Sequence, residues 1–150
     1  MFRMVGKAQE TRFDAFKLAR HAGTIAGSFD ARELPNLADT LVAGEEPVPI
    51  AWSIEGRKSA QGRPSLWIDI ACNAPLVCQR CLGRVDWPVD QATEVLLAAD
   101  ERELAMLDES TEDEVVLAEG PLDAADLVED ELVLTLPFAP AHEGPCPGRG

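Results

Sequence analysis

Four side chains of this 150-residue sequence have the types and spacing of a metal site. Cys78 and Cys81 are separated by two residues in LVCQRCLGRV, and His142 and Cys146 by three in PAHEGPC. Thiolate and imidazole are donors that zinc prefers, in tetrahedral sets of four. A CxxC at a hairpin tip presents two sulfurs on one side, and an HxxxC in a pliable loop is able to fold over them. The spacing predicts a zinc site made of Cys78, Cys81, His142 and Cys146. Two other readings stay open: Cys78 and Cys81 as plain reduced thiols on a turn, or a reactive cysteine whose pKa is lowered by Arg80 and Arg84. A redox CxxC needs its first cysteine at a helix N-terminus, whereas Gly83 and another strand pattern follow here.

The elements that must carry these residues are legible from hydrophobic period. Val48, Ile50, Trp52 and Ile54 alternate with Ala51 and Ser53, which is the period of a strand. A polar loop, GRKSAQGRP, separates it from Leu66, Ile68, Ile70 and Cys72, a second alternating run that continues to Cys78 with a bend expected near Asn73 to Pro75. Val85, Trp87 and Val89 alternate again after Gly83, and Val95 to Ala99 extends them, so CQRCLG reads as a hairpin turn. Cys72 falls on the apolar register and is expected to be an inert core thiol, with Trp67 and Trp87 paired across the hairpin on one face. Short helices flank the strands: TRFDAFKLARHAG closed by Gly23, DARELPNLADTL with Pro35 near its start, and ERELAMLDE. EVVLAEG reads as a brief strand. In PLDAADLVEDELVLTLP, Asp123 caps a helix whose Leu122, Ala125, Val128 and Leu132 share one side until Pro137 ends it. The expected fold is a single α+β domain over 1–150: an antiparallel sheet of hairpins with flanking short helices, and with 1–10 and 138–150 flexible or loop-like.

Charge narrows the partners. Asp and Glu number 27 against 13 Lys and Arg, a net charge of -14, which repels phosphate backbones and makes naked nucleic acid an unfavoured ligand. No apolar run nears the roughly 20 residues of a bilayer span, and the start MFRMVGKAQE has no apolar signal core, so a cytoplasmic protein with no membrane partner is expected. There thiols stay reduced, which disfavours structural disulfides. The stretch 100–131 is strongly acidic, and Asp123, Asp126, Glu129 and Asp130 are expected to meet a cationic partner. Arg80 and Arg84 at the hairpin tip are a second candidate contact. Direct RNA binding by a zinc-ribbon-like module would instead need Arg57, Lys58, Arg63, Arg80 and Arg84 gathered into one basic face. His21 and His142 stand in no Ser-His-Asp order and no glycine-rich phosphate loop is present, so no catalytic residue is assigned.

LVCQRCLGRVDWPVD, followed by PLDAADLVEDELVLTLPFAPAHEGPC, resembles the YceD family, the large ribosomal RNA subunit accumulation proteins. FDAFKLARHAGTIAGSF extends the resemblance to the amino-terminal part. Many relatives carry a second CxxC where this chain has His142 and Cys146. The resemblance implies a ribosome-biogenesis factor with no enzymatic activity, needed for normal amounts of large-subunit (23S) ribosomal RNA. Its partner is then expected to be the large-subunit precursor or a basic ribosomal protein.

Overall fold

The computed structural model describes residues 11–142 and residue 144. Asp14 starts helix α1 (Ala15–His21) by accepting from the Lys17 amide at 3.1 Å. The helix closes on Ala22, which adopts the left-handed conformation at φ 52, so Ala22 and not Gly23 makes the reversal. Ahead of α1, the two-residue strand β1 (Arg12–Phe13) pairs with β7 (Leu122–Asp123).

The main sheet has the order β2-β3-β4-β5-β6, formed by β2 (Thr24–Asp30), β3 (Pro49–Lys58), β4 (Pro64–Val77), β5 (Arg84–Ala98) and β6 (Glu114–Leu117). Ile50 lies opposite Cys72, Ile54 opposite Ile68, and Leu66 opposite Val95, so the alternation seen in the sequence turns one apolar face inward. The first four strands are antiparallel and β6 joins parallel to β5. That parallel edge differs from the expected all-antiparallel sheet. The ten-residue helix α3 (Glu101–Ser110) carries the chain back to the level of Val95, so that β6 runs beside only the last residues of β5 in the same direction, the crossover that a parallel pair requires.

Two further expectations change. DARELPNLADTL forms a 3-10 turn (Ala31–Glu33) and a four-residue helix α2 (Pro35–Ala38), because Leu34 ahead of Pro35 is held extended at φ -99, ψ 112. Trp67 and Trp87 lie on opposite faces of the sheet, opposite Glu94 and Ala74 respectively. Trp87 packs against the core, whereas Trp67 sits on the outer face under the Arg57 guanidinium at 4.4 Å. The ladder of β4 with β5 continues through the expected bend to Val77. Pro75 is tolerated there because β3 starts at Pro49, and β4 beyond Cys72 has lost that neighbour.

Helix α4 (Ala124–Thr135) is capped by Asp123, whose carboxylate accepts from the Ala125 amide at 2.9 Å and from the Thr11 hydroxyl. Val128 and Leu132 anchor it in the core. Glu131, only 5% exposed, is buried with them, and its carboxyl is pushed up to about 8, first by loss of water and then by its hydrogen bond to, and the charge of, Glu114. A hydrogen bond from Thr93 acts weakly the other way.

Two measurements test this packing. A Cβ on Gly56 would stand 2.0 Å from the Leu18 carbonyl oxygen, so α1 rests directly on β3 at that point. Gly56→Ala is expected to cost about 1–3 kcal/mol, read as a lower denaturant midpoint at unchanged slope. Because the folded pKa of Glu131 lies above its ordinary 4.5, its protonated form favours the fold; this contribution is complete below pH 4.5 and is lost as pH rises through about 8. Glu131→Gln is therefore expected to flatten the loss of stability between those limits and to gain on the parent above pH 8. Parallel stability-versus-pH curves for the two proteins would contradict this.

Candidate metal centre at the hairpin tip

Between Val77 and Arg84 the chain turns through CQRCLG. The Cys78 amide donates to the Gly83 carbonyl and the Leu82 amide to the Cys78 carbonyl, each at 2.8 Å, closing a narrow loop with Leu82 at φ 63. This closure aims backbone amides at sulfur: Arg80 N–H at the Cys78 Sγ and Gly83 N–H at the Cys81 Sγ, both at 3.4 Å. Burial, the largest single influence on the Cys78 thiol, raises its pKa. The amides of Cys81, His142 and Arg80 and the Cys81 side chain outweigh it and bring the pKa down to about 5. The lowered pKa favours the thiolate, the form that ligates a metal without a competing proton. Cys72 differs: it is half-buried against the core and burial pushes its pKa up.

The tail comes to this turn through its backbone. Gln79 N–H donates to the Pro140 carbonyl at 2.8 Å and the Arg80 guanidinium to the His142 carbonyl at 3.0 Å. His142 Nε2 lies 2.9 Å from the Arg84 carbonyl oxygen. A carbonyl only accepts, so Nε2 donates to it, and Nδ1 is the ring nitrogen turned to the sulfurs, 3.8 Å from the Cys81 Sγ. Zinc bonds of ~2.3 Å to sulfur and ~2.1 Å to nitrogen imply a tetrahedral sulfur-to-nitrogen edge of about 3.6 Å, close to that separation. The ligand atoms of Cys78, Cys81 and His142 all lie within 4.8 Å of one another. A histidine held by a carbonyl through its other nitrogen is the outer-shell support typical of metal ligands. These three residues are therefore compatible with zinc. Cys146, the fourth expected ligand, lies outside the described residues.

The charged candidates separate. Arg57, Lys58 and Arg63 sit at the β3–β4 turn, while Arg80 and Arg84 sit at the β4–β5 turn, at opposite ends of the 14-residue β4. At ~3.3 Å per residue the two groups are some 40 Å apart, so the basic face that direct RNA binding called for is not assembled. Arg57 also pairs with Glu55 at 2.7 Å and Arg84 with Asp86 at 2.8 Å. Among the acids, Asp126 and Asp130 are exposed and Asp123 is the α4 cap. Glu129, expected to face a partner, is instead 6% exposed and accepts from the Asn36 amide at 2.7 Å, which caps the first turn of α2. A signal for this was present: Ala125, Glu129, Leu132 and Leu136 recur at helical spacing, which puts Glu129 on an inward stripe. The carbonyls of Pro140 and Arg84, which dock the tail, have no side-chain signature and were not readable.

Comparison with known families matches residues 66–150, more than half of the chain, to the family described as large ribosomal RNA subunit accumulation protein YceD. The matched segment holds the hairpin tip, α4 and the tail; the amino-terminal helix and β2 lie outside it. No curated protein and no solved structure matches the chain.

Protein prepared without chelator is expected to carry about one zinc per chain, since a structural set of this kind contributes on the order of 10 kcal/mol. Cys81→Ser and His142→Ala should each lower the zinc content and speed amide exchange at Gln79, whose acceptor belongs to the tail. Elemental analysis finding no zinc in fresh, reduced protein would remove the metal reading.

Proposed function

This chain belongs to the YceD family of large ribosomal RNA subunit accumulation proteins, and from that premise we propose that it is a non-enzymatic cytoplasmic factor that promotes 23S ribosomal RNA accumulation by contacting a basic ribosomal or assembly protein. The observation that carries the partner's chemistry is the exposed acidic face of α4, inside the segment that matches the family. Asp130 on that face has its pKa raised, first by partial loss of water and then by the charges of Asp126, Glu129 and Glu114, so negative charge is crowded there. A cationic partner would relieve that repulsion, and a net charge of -14 steers it in from a distance.

The two rival readings fare less well on the same observations. An RNA-binding module needs its cations together, and they stand at opposite ends of β4. A thiol enzyme needs an accessible thiolate, and Cys78, the cysteine with the lowered pKa, is 0% exposed. Among the described residues, no helix is long and apolar enough to cross a membrane.

The combined variant Asp126→Lys, Asp130→Lys is expected to co-sediment with large-subunit precursors about tenfold less than the parent at low salt, with unchanged circular dichroism. In parallel, the parent should bind protein-free 23S fragments only weakly. Unchanged co-sedimentation would exclude this face. Tight binding to bare RNA that falls by orders of magnitude between about 50 and 200 mM salt would favour the RNA module.

A further inference from the structure

Beside the hairpin tip, a groove of about 590 Å³ opens between α2, the end of β4 and the C-terminal end of α4. Leu37, Leu76, Val133, Leu136 and Phe138 give it an apolar lining, and its size is that of a site for a few anchoring side chains. Five large apolar side chains are exposed among the described residues: Val133 and Phe138 line the groove, Leu134 follows Val133 on α4, Leu82 sits on the CQRCLG turn whose Gln79 lines it, and Met106 is on α3. Phe138 projects fully into solvent at the groove's rim. Such clustering marks a contact surface where single scattered residues would not.

Charge selects the occupant. Asp39 is the one charged side chain among the described lining residues. Along α4, Asp126, Asp130, Val133 and Leu134 fall at helical spacing on one exposed face, so the acidic stripe leads straight into the apolar one. We infer that this groove seats a segment of a basic protein, with apolar side chains set between α2 and α4 and lysine or arginine side chains on Asp39, Asp126 and Asp130. The inference rests on the adaptor reading above and adds the place and the chemistry of the contact. A second copy of this chain is disfavoured as the occupant, because it would bring another net charge of -14 against the same acidic stripe.

The test uses the full chain and two labelled synthetic 15-residue peptides, one of Lys and Leu and one of Glu and Leu, followed by fluorescence anisotropy. The Lys-Leu peptide should bind with an affinity that weakens as salt is raised, and the Glu-Leu peptide should not bind. Phe138→Ala and Val133→Ser, both at exposed positions, should each weaken Lys-Leu binding about tenfold, while Met106→Ala, an exposed apolar position on α3, should leave it unchanged. Equal binding of both peptides, or equal losses in all three variants, would overturn the inference. So would a concentration-dependent dimer dissolved by Phe138→Ala, which would assign the groove to a second copy. Absence of peptide binding, together with amide exchange at residues 1–10 that Val133→Asp accelerates, would assign it to this chain's own amino-terminal segment and equally overturn the proposal. Co-sedimentation with large-subunit precursors separates the two failures. If the groove variants keep it, the groove is wrong and the adaptor reading stands; if the parent lacks it, the adaptor reading fails first.

Discussion

The register of β4 against β5 is the constraint on which the rest depends. From Ser65 opposite Leu96 to Val77 opposite Arg84 the two strands form one unbroken antiparallel ladder. Side chains alternate with period two, so this single register decides the face of every residue on both strands, and a slip by one would turn the core outward. Cys78 shares the parity of Leu66, Ile68, Ile70 and Leu76, which is why it continues the core at the turn and is fully buried. Cys81, three residues on, is left at the surface side of the same turn, half-exposed and within reach of His142.

The tail depends on that ladder in turn. Its anchors are backbone groups presented by the turn: the Gln79 amide on the Pro140 carbonyl, and the Arg84 carbonyl on His142 Nε2. The second of these sets the imidazole tautomer, so the sheet register fixes which histidine nitrogen faces the sulfurs. A metal bound there would link the turn and the tail, and with them the wall of the adjacent groove formed by Gln79 and Pro140.

Helix α4 spends its acidic residues in two different ways. Glu129 and Glu131 face inward, one capping α2 and the other sharing a buried carboxyl contact with Glu114. Asp126 and Asp130 face outward, and their mutual repulsion helps to raise the pKa of Asp130. The inward pair holds the helix in place between α2 and the sheet, and the outward pair gives its exposed side a sign. Both pairs lie in the segment that matches the family named for accumulation of large-subunit ribosomal RNA.

Local pattern determined much of this protein. The strand periods of β3, β4 and β5, the hairpin turn at CQRCLG, the Asp123 cap and the helix of α4 all follow from neighbours a few residues apart, and short-range periodicity reports them directly. The spacing already joined Cys78 and Cys81 to His142, and the structure brings the ligand atoms of these three within 4.8 Å of one another. Tertiary structure alone decided the rest. That β6 enters parallel, that Trp67 and Trp87 part to opposite faces, and that Arg80 and Arg84 stand a strand's length from Arg57, Lys58 and Arg63 are consequences of register and crossover over tens of residues. The partners that Glu129 and Glu131 meet are of the same kind: helical spacing marks Glu129 as inward, and only the packing shows the Asn36 amide it meets. Four carboxylates look alike in a sequence, and only the elements packed against each one decide whether it meets an amide, another carboxyl or water.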